Sequence, residues 1–321
     1  MTDRALLARL CEGPASGAAL ARELGVTRSA VWKRIEALRA AGVGIEATPG
    51  RGYALARPVQ LLDADRLAKA LSPAARAELA GLEVLFDTDS TNAVALREPV
   101  PARGSRVWFA ERQSAGRGRR SRAWASPLAA HVYLSVSRRF EGGIAALQGL
   151  SLAVGVAAAE ALHALGYRRV GLKWPNDLLA DGRKLGGILI EVGGDAGGPL
   201  QVVVGLGLNV AMPANAARAI DQPWCDLAGL SGQAPDRHAI GVALLDALLP
   251  MLARFEREGL APFLDAWHRH DLLAGRAVRV IEGDRVYEGV AAGIAGDGAL
   301  RLQGADGERR CHAGEASLRA A

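Results

Sequence analysis

Cysteine is too scarce in this chain to build a framework, with Cys11, Cys225 and Cys311 the three in 321 residues. Odd in number and far apart, they argue against both a disulfide scaffold and a zinc cluster. No signal peptide is expected either, since Asp3 and Arg4 precede any hydrophobic stretch. The charge-free run 142–159 is diluted by four glycines, Gln148 and Ser151, and is too weakly apolar for a membrane span. Lysine is rare, at four residues against 35 arginines. Half the residues are apolar and 23% are charged, an ordinary globular composition. Two or three domains, a cytoplasmic location and a fold without structural metal are the expectation.

The charge that is present is unevenly placed. Residues 1–60 hold 9 Lys+Arg against 5 Asp+Glu, and the remainder of the chain is close to neutral, with 30 against 29. Within the basic segment Leu6, Leu7 and Leu10 make one apolar face. Ser16 caps a second helix carrying Leu20 and Leu24, Gly25 ends it, and Thr27 caps a third. On that third helix Val31, Ile35 and Leu38 face inward, which leaves Arg28, Ser29, Trp32 and Lys33 outside. Gly42 stops it, and residues 43–47 and 52–55 flank a turn containing Arg51. The pattern predicts a winged helix-turn-helix over 1–60. Thr27, Arg28, Ser29, Trp32 and Lys33 would approach the major groove, and Arg51 on the wing would meet phosphate. An interaction module without a DNA role stays open on these residues alone.

Residues 61–81 read as a linker helix. From about 82 onward strands and helices mix, with strand candidates at 107–110, 132–136, 187–192 and 200–210 and helices at 149–165 and 239–257. The order is not a clean βαβ alternation, so the pattern predicts an α+β unit with a mixed or antiparallel sheet over 82–270. A glycine-rich loop, 193–198, joins the last two strands. After 271, turn signals at Gly283-Asp284, Asp297-Gly298 and Asp306-Gly307 separate short alternating strands, which suggests a small β-barrel over 271–321.

Two segments carry chemistry. Five arginines fall within eleven residues at 112–122, interleaved with Gly116 and Gly118 and followed by Trp124. Glycines let a backbone approach an anion, and guanidinium groups grip phosphate or carboxylate in fork geometry. The spacing fits neither a Walker loop nor a dinucleotide fingerprint. Lys173-Trp174-Pro175-Asn176-Asp177 and Lys184-Leu185-Gly186-Gly187 then place two of the four lysines eleven residues apart. A chain that otherwise uses arginine has reason to keep an ammonium there. Taken singly, a flexible basic loop and a polar turn explain both.

Together these motifs, with Asp89-Ser90-Thr91-Asn92 and Gly205-Leu206-Gly207-Leu208-Asn209, resemble the biotin–protein ligase family. The winged helix makes the chain most similar to the bifunctional bacterial branch, which also represses transcription. The resemblance implies a central domain related to class II synthetases and an SH3-like C-terminal barrel. It also implies ATP-driven conversion of biotin to biotinyl-5′-AMP, and transfer of biotin to a lysine of the biotin carboxyl carrier domain of acetyl-CoA carboxylase. By that resemblance Ser90, Thr91, Asn92, Gln113, Arg117, Gly118, Arg119 and Lys184 meet biotin. Gly116, Trp124, Lys173, Asn176 and Asn209 meet the nucleotide, and Lys184 with Arg119 carries the chemistry. Mg²⁺ is expected on the phosphates, with Asp177 as a contact. Operator DNA and a homodimer promoted by biotinyl-AMP complete the expected partners, and the loop at 114–122 is expected to order when an anion arrives. The alternatives are a ligand-sensing transcription factor with weak or lost ligase activity, and a lipoate–protein ligase.

Overall fold

The computed structural model describes residues 2–194, 199–218, 220–282, 284–312 and 316–320; residues 195–198 of the glycine-rich loop and Gly283 of the first C-terminal turn lie outside them. The chain opens with α1 (Asp3–Cys11), α2 (Gly17–Glu23) and α3 (Arg28–Ala40). Each helix begins at a hydroxyl cap, Thr2, Ser16 or Thr27, whose side-chain oxygen accepts the N–H of the residue three further on. The antiparallel wing β1 (Ile45–Thr48) and β2 (Gly52–Leu55) closes the unit. Its core of Leu6, Leu7, Leu10, Leu20, Val31, Ile35 and Leu38 is completed by Leu128 and Ala129, which come from the central unit. The Leu128 N–H donates to the Ala41 carbonyl at 3.2 Å.

The connecting segment forms two short helices, α4 (Ala64–Ala70) and α5 (Pro73–Ala77), where a single linker helix is expected. They are docked, not loose. Leu62, Leu67, Leu71 and Ala75 are buried in the main core, and Ser72 N–H donates to Asp246 Oδ1 at 2.8 Å.

The central unit runs β3 (Leu79–Leu85), α6 (Thr91–Arg97), β4 (Ser105–Ala110), β5 (Val132–Phe140), α7 (Leu150–Ala164), β6 (Val170–Lys173), β7 (Asp177–Ala180), β8 (Arg183–Gly193) and β9 (Leu200–Leu208). Then follow α8 (Ala214–Ala217), α9 (Leu227–Ser231), α10 (Arg237–Glu258) and α11 (Leu264–His270). The seven strands lie in the order β3-β4-β5-β9-β8-β7-β6, with β3 and β4 parallel and every other pair antiparallel. The mixed sheet of the sequence reading is therefore present. Two stretches, Ile144–Ala164 and Arg237–Glu258, are long and apolar enough to cross a membrane, but more than half of each is buried within the protein. They are the helices against which the sheet packs.

The chain ends in β10 (Ala277–Glu282), β11 (Arg285–Ile294), β12 (Leu300–Gly304), β13 (Gly307–Cys311) and β14 (Ala316–Ala320), an antiparallel sheet ordered β13-β12-β11-β10-β14. A register shift between Ala291 and Ile294 bends β11. Val278, Val280, Leu300 and Leu302 join the central core, so this unit is fused to its neighbour.

His131 is fully buried and accepts the Val210 N–H through Nδ1 at 2.9 Å. Burial, and then the Arg237 cation, holds its pKa down from 6.5 to about 3. The unfolded chain binds a proton near 6.5 that the native protein refuses until about 3. Stability present above the first value is thus lost as pH falls toward the second. The melting temperature should decline across that window, less steeply for His131→Asn, whose Oδ1 can replace Nδ1 as acceptor. Identical slopes for the two proteins would refute the assignment.

Candidate active site

A cleft opens over β8 and β9, bounded by α6, the arginine loop and the β6–β7 turn. At one end stand Ser90, Thr91 and Asn92, all buried at the start of α6. The Thr91 N–H and hydroxyl both donate to Gln113 Oε1, at 2.9 and 3.2 Å. Asn92 Nδ2 donates to Glu191 Oε2 at 2.8 Å and to the Leu189 carbonyl at 3.3 Å, and Ser135 Oγ lies 2.6 Å from Asn92 Oδ1. Gly205 makes this possible, because a Cβ there would lie 2.3 Å from Asn92 Oδ1. Just upstream, a double hydrogen bond from Arg97 and the N–H of Ser90 hold the Asp89 carboxyl well below the usual range.

The arginine loop is a hairpin. Trp124 N–H donates to the Gly116 carbonyl and Gly118 N–H to the Arg122 carbonyl, each at 2.8 Å. At the tip Arg120 and Ser121 have φ of 55° and 54°, a left-handed conformation that costs a non-glycine residue energy. The ties that hold the loop over the cleft include Arg117 Nη2 to Glu191 Oε1 at 3.2 Å and Arg119 Nη1 to Asn176 Oδ1 at 3.3 Å. Burial, and then the neighbouring Arg120 charge, lowers the pKa of Arg119. A guanidinium desolvated beside another cation gains most when an anion joins it. The hairpin base places Trp124 flat against the sheet, where a Cβ at Gly207 would come within 2.6 Å of its ring.

The β6–β7 turn and the start of β8 bring the two lysines together. Lys184 Nζ is 2.7 Å from Asp177 Oδ1 and 5.6 Å from the centre of the Trp124 ring, and Lys173 Nζ is 3.6 Å from Asp177 Oδ2. Asn176 donates from Nδ2 to the Ile188 carbonyl at 2.7 Å, which turns its oxygen toward Arg119. With both carboxylate oxygens of Asp177 facing ammonium groups, and no cluster of three or more His, Cys, Asp or Glu side chains suited to a metal among the described residues, this donor set does not fit a protein-held cation. The geometry makes Asp177 the orienter of the two lysines.

Twelve of the expected residues line the cleft: Ser90, Thr91, Asn92, Gln113, Arg117, Gly118, Arg119, Trp124, Lys173, Asn176, Asp177 and Lys184. Gly116 and Asn209 stand behind it. A Cβ at Gly116 would meet Ser126 Oγ at 2.6 Å, so this glycine serves the packing of the hairpin base. Asn209 donates to the Cys225 carbonyl at 3.1 Å and fastens a strap, residues 222–225, whose backbone pairs with that of Lys184. Sequence reasoning missed Glu191 and Ser135. Both are interior strand positions in apolar surroundings, and a polar residue there is the signal that could have exposed them. Far from the cleft in sequence, Thr27, Arg28, Ser29, Trp32, Lys33 and Arg51 are all exposed, and Trp32 keeps 55% of its surface.

Comparison with known proteins matches residues 86–209 to the biotin/lipoate A/B protein ligase family, 4–54 to an HTH domain and 274–319 to the biotin protein ligase C-terminal domain. The chain is 42% identical over 306 residues to the bifunctional ligase/repressor BirA of Salmonella typhimurium, covering 95% of this chain and 93% of that protein. It is 40% identical over 319 residues to BirA of Escherichia coli, covering 98% and 97%. The fold is shared with the biotin protein ligase from Aquifex aeolicus solved in complex with biotin and ATP, at a TM-score of 0.64 and 24% identity over 75% of this chain and 100% of that one.

Proposed function

Given that this chain belongs to the biotin protein ligase family, in the branch of its bifunctional ligase/repressors, we propose that the cleft performs biotinylation in two steps. First the biotin carboxylate attacks the α-phosphorus of ATP and pyrophosphate leaves, giving biotinyl-5′-AMP. Then the ε-amine of a lysine on a biotin carboxyl carrier domain, that of acetyl-CoA carboxylase, attacks the acyl carbon. AMP departs with the bonding pair and the amine gives up a proton. The observation that carries this reading is the convergence of Lys184, Lys173 and Arg119 on one cleft.

Two anions must meet in the first step, so positioning and cationic charge supply the catalysis. Lys184 lies where carboxylate and α-phosphate join, held forward by Asp177. Arg117, Gly118 and Arg119 close over biotin and its adenylate, and Ser90, Thr91, Asn92 and Gln113 receive the ureido ring. Trp124 supports the adenine, with Lys173 and Asn176 around the nucleotide, and Gly116 and Asn209 support it through the hairpin and the strap. Mg²⁺ travels with the ATP phosphates and is not given a protein site.

Residues 1–60 bind operator DNA through Thr27, Arg28, Ser29, Trp32, Lys33 and Arg51, residues 61–81 connect them to the ligase unit at 82–270, and 271–321 complete the chain. All of this belongs in the cytoplasm, where ATP, carrier protein and DNA are found. One winged helix reads a short site, so repression calls for a twofold pair. Both β8 and β9 lie inside the sheet, yet β8 outruns β7: pairing between them ends at Gly187, which leaves 189–193 bonded on one side only. That open edge, with Val192 38% exposed, is the surface proposed for a homodimer promoted by biotinyl-AMP.

Incubation with ATP, a carrier domain and labelled biotin or lipoate is the test. Biotin should be transferred with release of AMP. Preference for lipoate would move the protein to the sister activity, and operator binding without adenylate formation would make it a ligand-sensing repressor. Sedimentation with biotinyl-AMP should show tighter dimerisation than without it, and an unchanged constant would sink the switch.

A further inference from the structure

Glu191 is a charged residue in the apolar run Leu189-Ile190-Glu191-Val192 on β8, with three quarters of its side chain covered. Its two oxygens are divided between two groups of the site. Oε2 accepts from Asn92 Nδ2 at 2.8 Å, and Oε1 lies 3.2 Å from Arg117 Nη2. A carboxylate can only accept, so it forces the Asn92 amide to turn its NH₂ inward. The other side-chain N–H of Asn92 goes to the Leu189 carbonyl, so within this side chain the capacity left for a ligand is the second lone pair of Oδ1, whose first accepts from Ser135 Oγ. Asn92 is thereby an acceptor, matched to a ligand N–H and mismatched to a ligand carbonyl. The same carboxylate anchors the rising limb of the arginine hairpin to a strand of the sheet.

We infer that Glu191 is a positioning residue for biotin and its adenylate, setting the polarity of Asn92 toward the ureido N–H and fixing Arg117 at the base of the closing loop. This inference rests on the biotin-ligase reading above. It assigns Glu191 no contact with the reacting atoms.

Glu191→Gln is nearly isosteric, but its amide can turn either way and carries no charge for Arg117. It should raise KM for biotin and speed the release of bound biotinyl-AMP, each by about tenfold, the scale of a lost charge-assisted hydrogen bond. At saturating biotin, kcat for adenylate formation should stay within about twofold and the melting temperature should hold. In a cycle with Arg117→Gln, the two losses in adenylate retention should combine to less than their product. Unchanged KM and release in an enzyme that makes biotinyl-AMP would overturn the inference, as would a fall in kcat alone or full multiplicativity in the cycle. Failure of the wild-type protein to form any biotinyl-AMP would instead strike the functional reading. Direct calorimetric titration of biotin into both proteins would then still decide whether Glu191 shapes the pocket, with equal affinities counting against it.

Discussion

Lys184→Ala is expected to slow biotinyl-AMP formation by about 10²–10³-fold, the loss typical of removing one charge-stabilising donor from a preorganised site. The ammonium is fixed, not tethered loosely. Asp177 holds it at 2.7 Å, Trp124 lies beneath it, and the backbone of Lys184 is clamped on both sides by the strap, with its N–H on the Pro223 carbonyl and its carbonyl accepting from Cys225. Truncation removes the charge and leaves that frame. Asp177 keeps Lys173 at 3.6 Å, so no carboxylate is stranded and the fold should persist. Lys184→Arg should rescue poorly, since a planar fork cannot sit between Asp177 and a phosphorus as a compact ammonium does. Supplying synthetic biotinyl-AMP should bypass most of the defect, because the second step replaces an anionic nucleophile with a neutral amine. Near-normal adenylate formation by the alanine variant would remove Lys184 from the chemistry.

Local signals explain what could be read without coordinates. The three hydroxyl caps and the spacing of Val31, Ile35 and Leu38 specify the N-terminal unit because both act within a few residues of chain. Lys184 and the arginine hairpin were legible because scarcity of lysine and crowding of arginine are visible in composition. Glu191 and Ser135 were not, since each takes its meaning from partners about forty to a hundred residues away. Asn209 and Gly116 were placed at the ligand on motif alone, yet the former secures a strap and the latter a hairpin base. The seating of Leu128 in the N-terminal core was equally out of reach. It is an ordinary apolar residue in the letters, and only the fold brings it to Ala41. That contact follows the arginine hairpin by a few residues, so the ligand loop and the DNA-binding unit share a length of chain.

The second large effect concerns the ion pair beneath that junction. Glu111 is fully buried and Arg237 nearly so, with Arg237 Nη1 2.7 Å from Glu111 Oε2. Both partners are tied further: Arg237 also donates to the carbonyls of Gln60 and His131, and Glu111 Oε1 accepts the Leu62 N–H. Glu111 opens the arginine loop, while its own carbonyl receives the Ala129 N–H from beyond the loop's far end. The Leu62 carbonyl is in turn held by Arg4 of α1 at 3.0 Å. Arg237→Met would remove the countercharge from a buried carboxylate, and breaking such a pair costs about 3–5 kcal/mol. Urea unfolding of the central unit should register a loss of that size, and proteases should cut 56–63 earlier than in the parent. Glu111→Gln added to Arg237→Met should recover part of the stability, because the uncompensated charge is gone although the Gln60 and His131 carbonyls remain unserved. A single-variant cost under about 1 kcal/mol, the range of exposed pairs, would mean that water reaches Glu111 and that the pair is not the tie between connector and loop. Full loss with no recovery in the double variant would place the stabilisation in the carbonyl contacts of Arg237 instead of its charge.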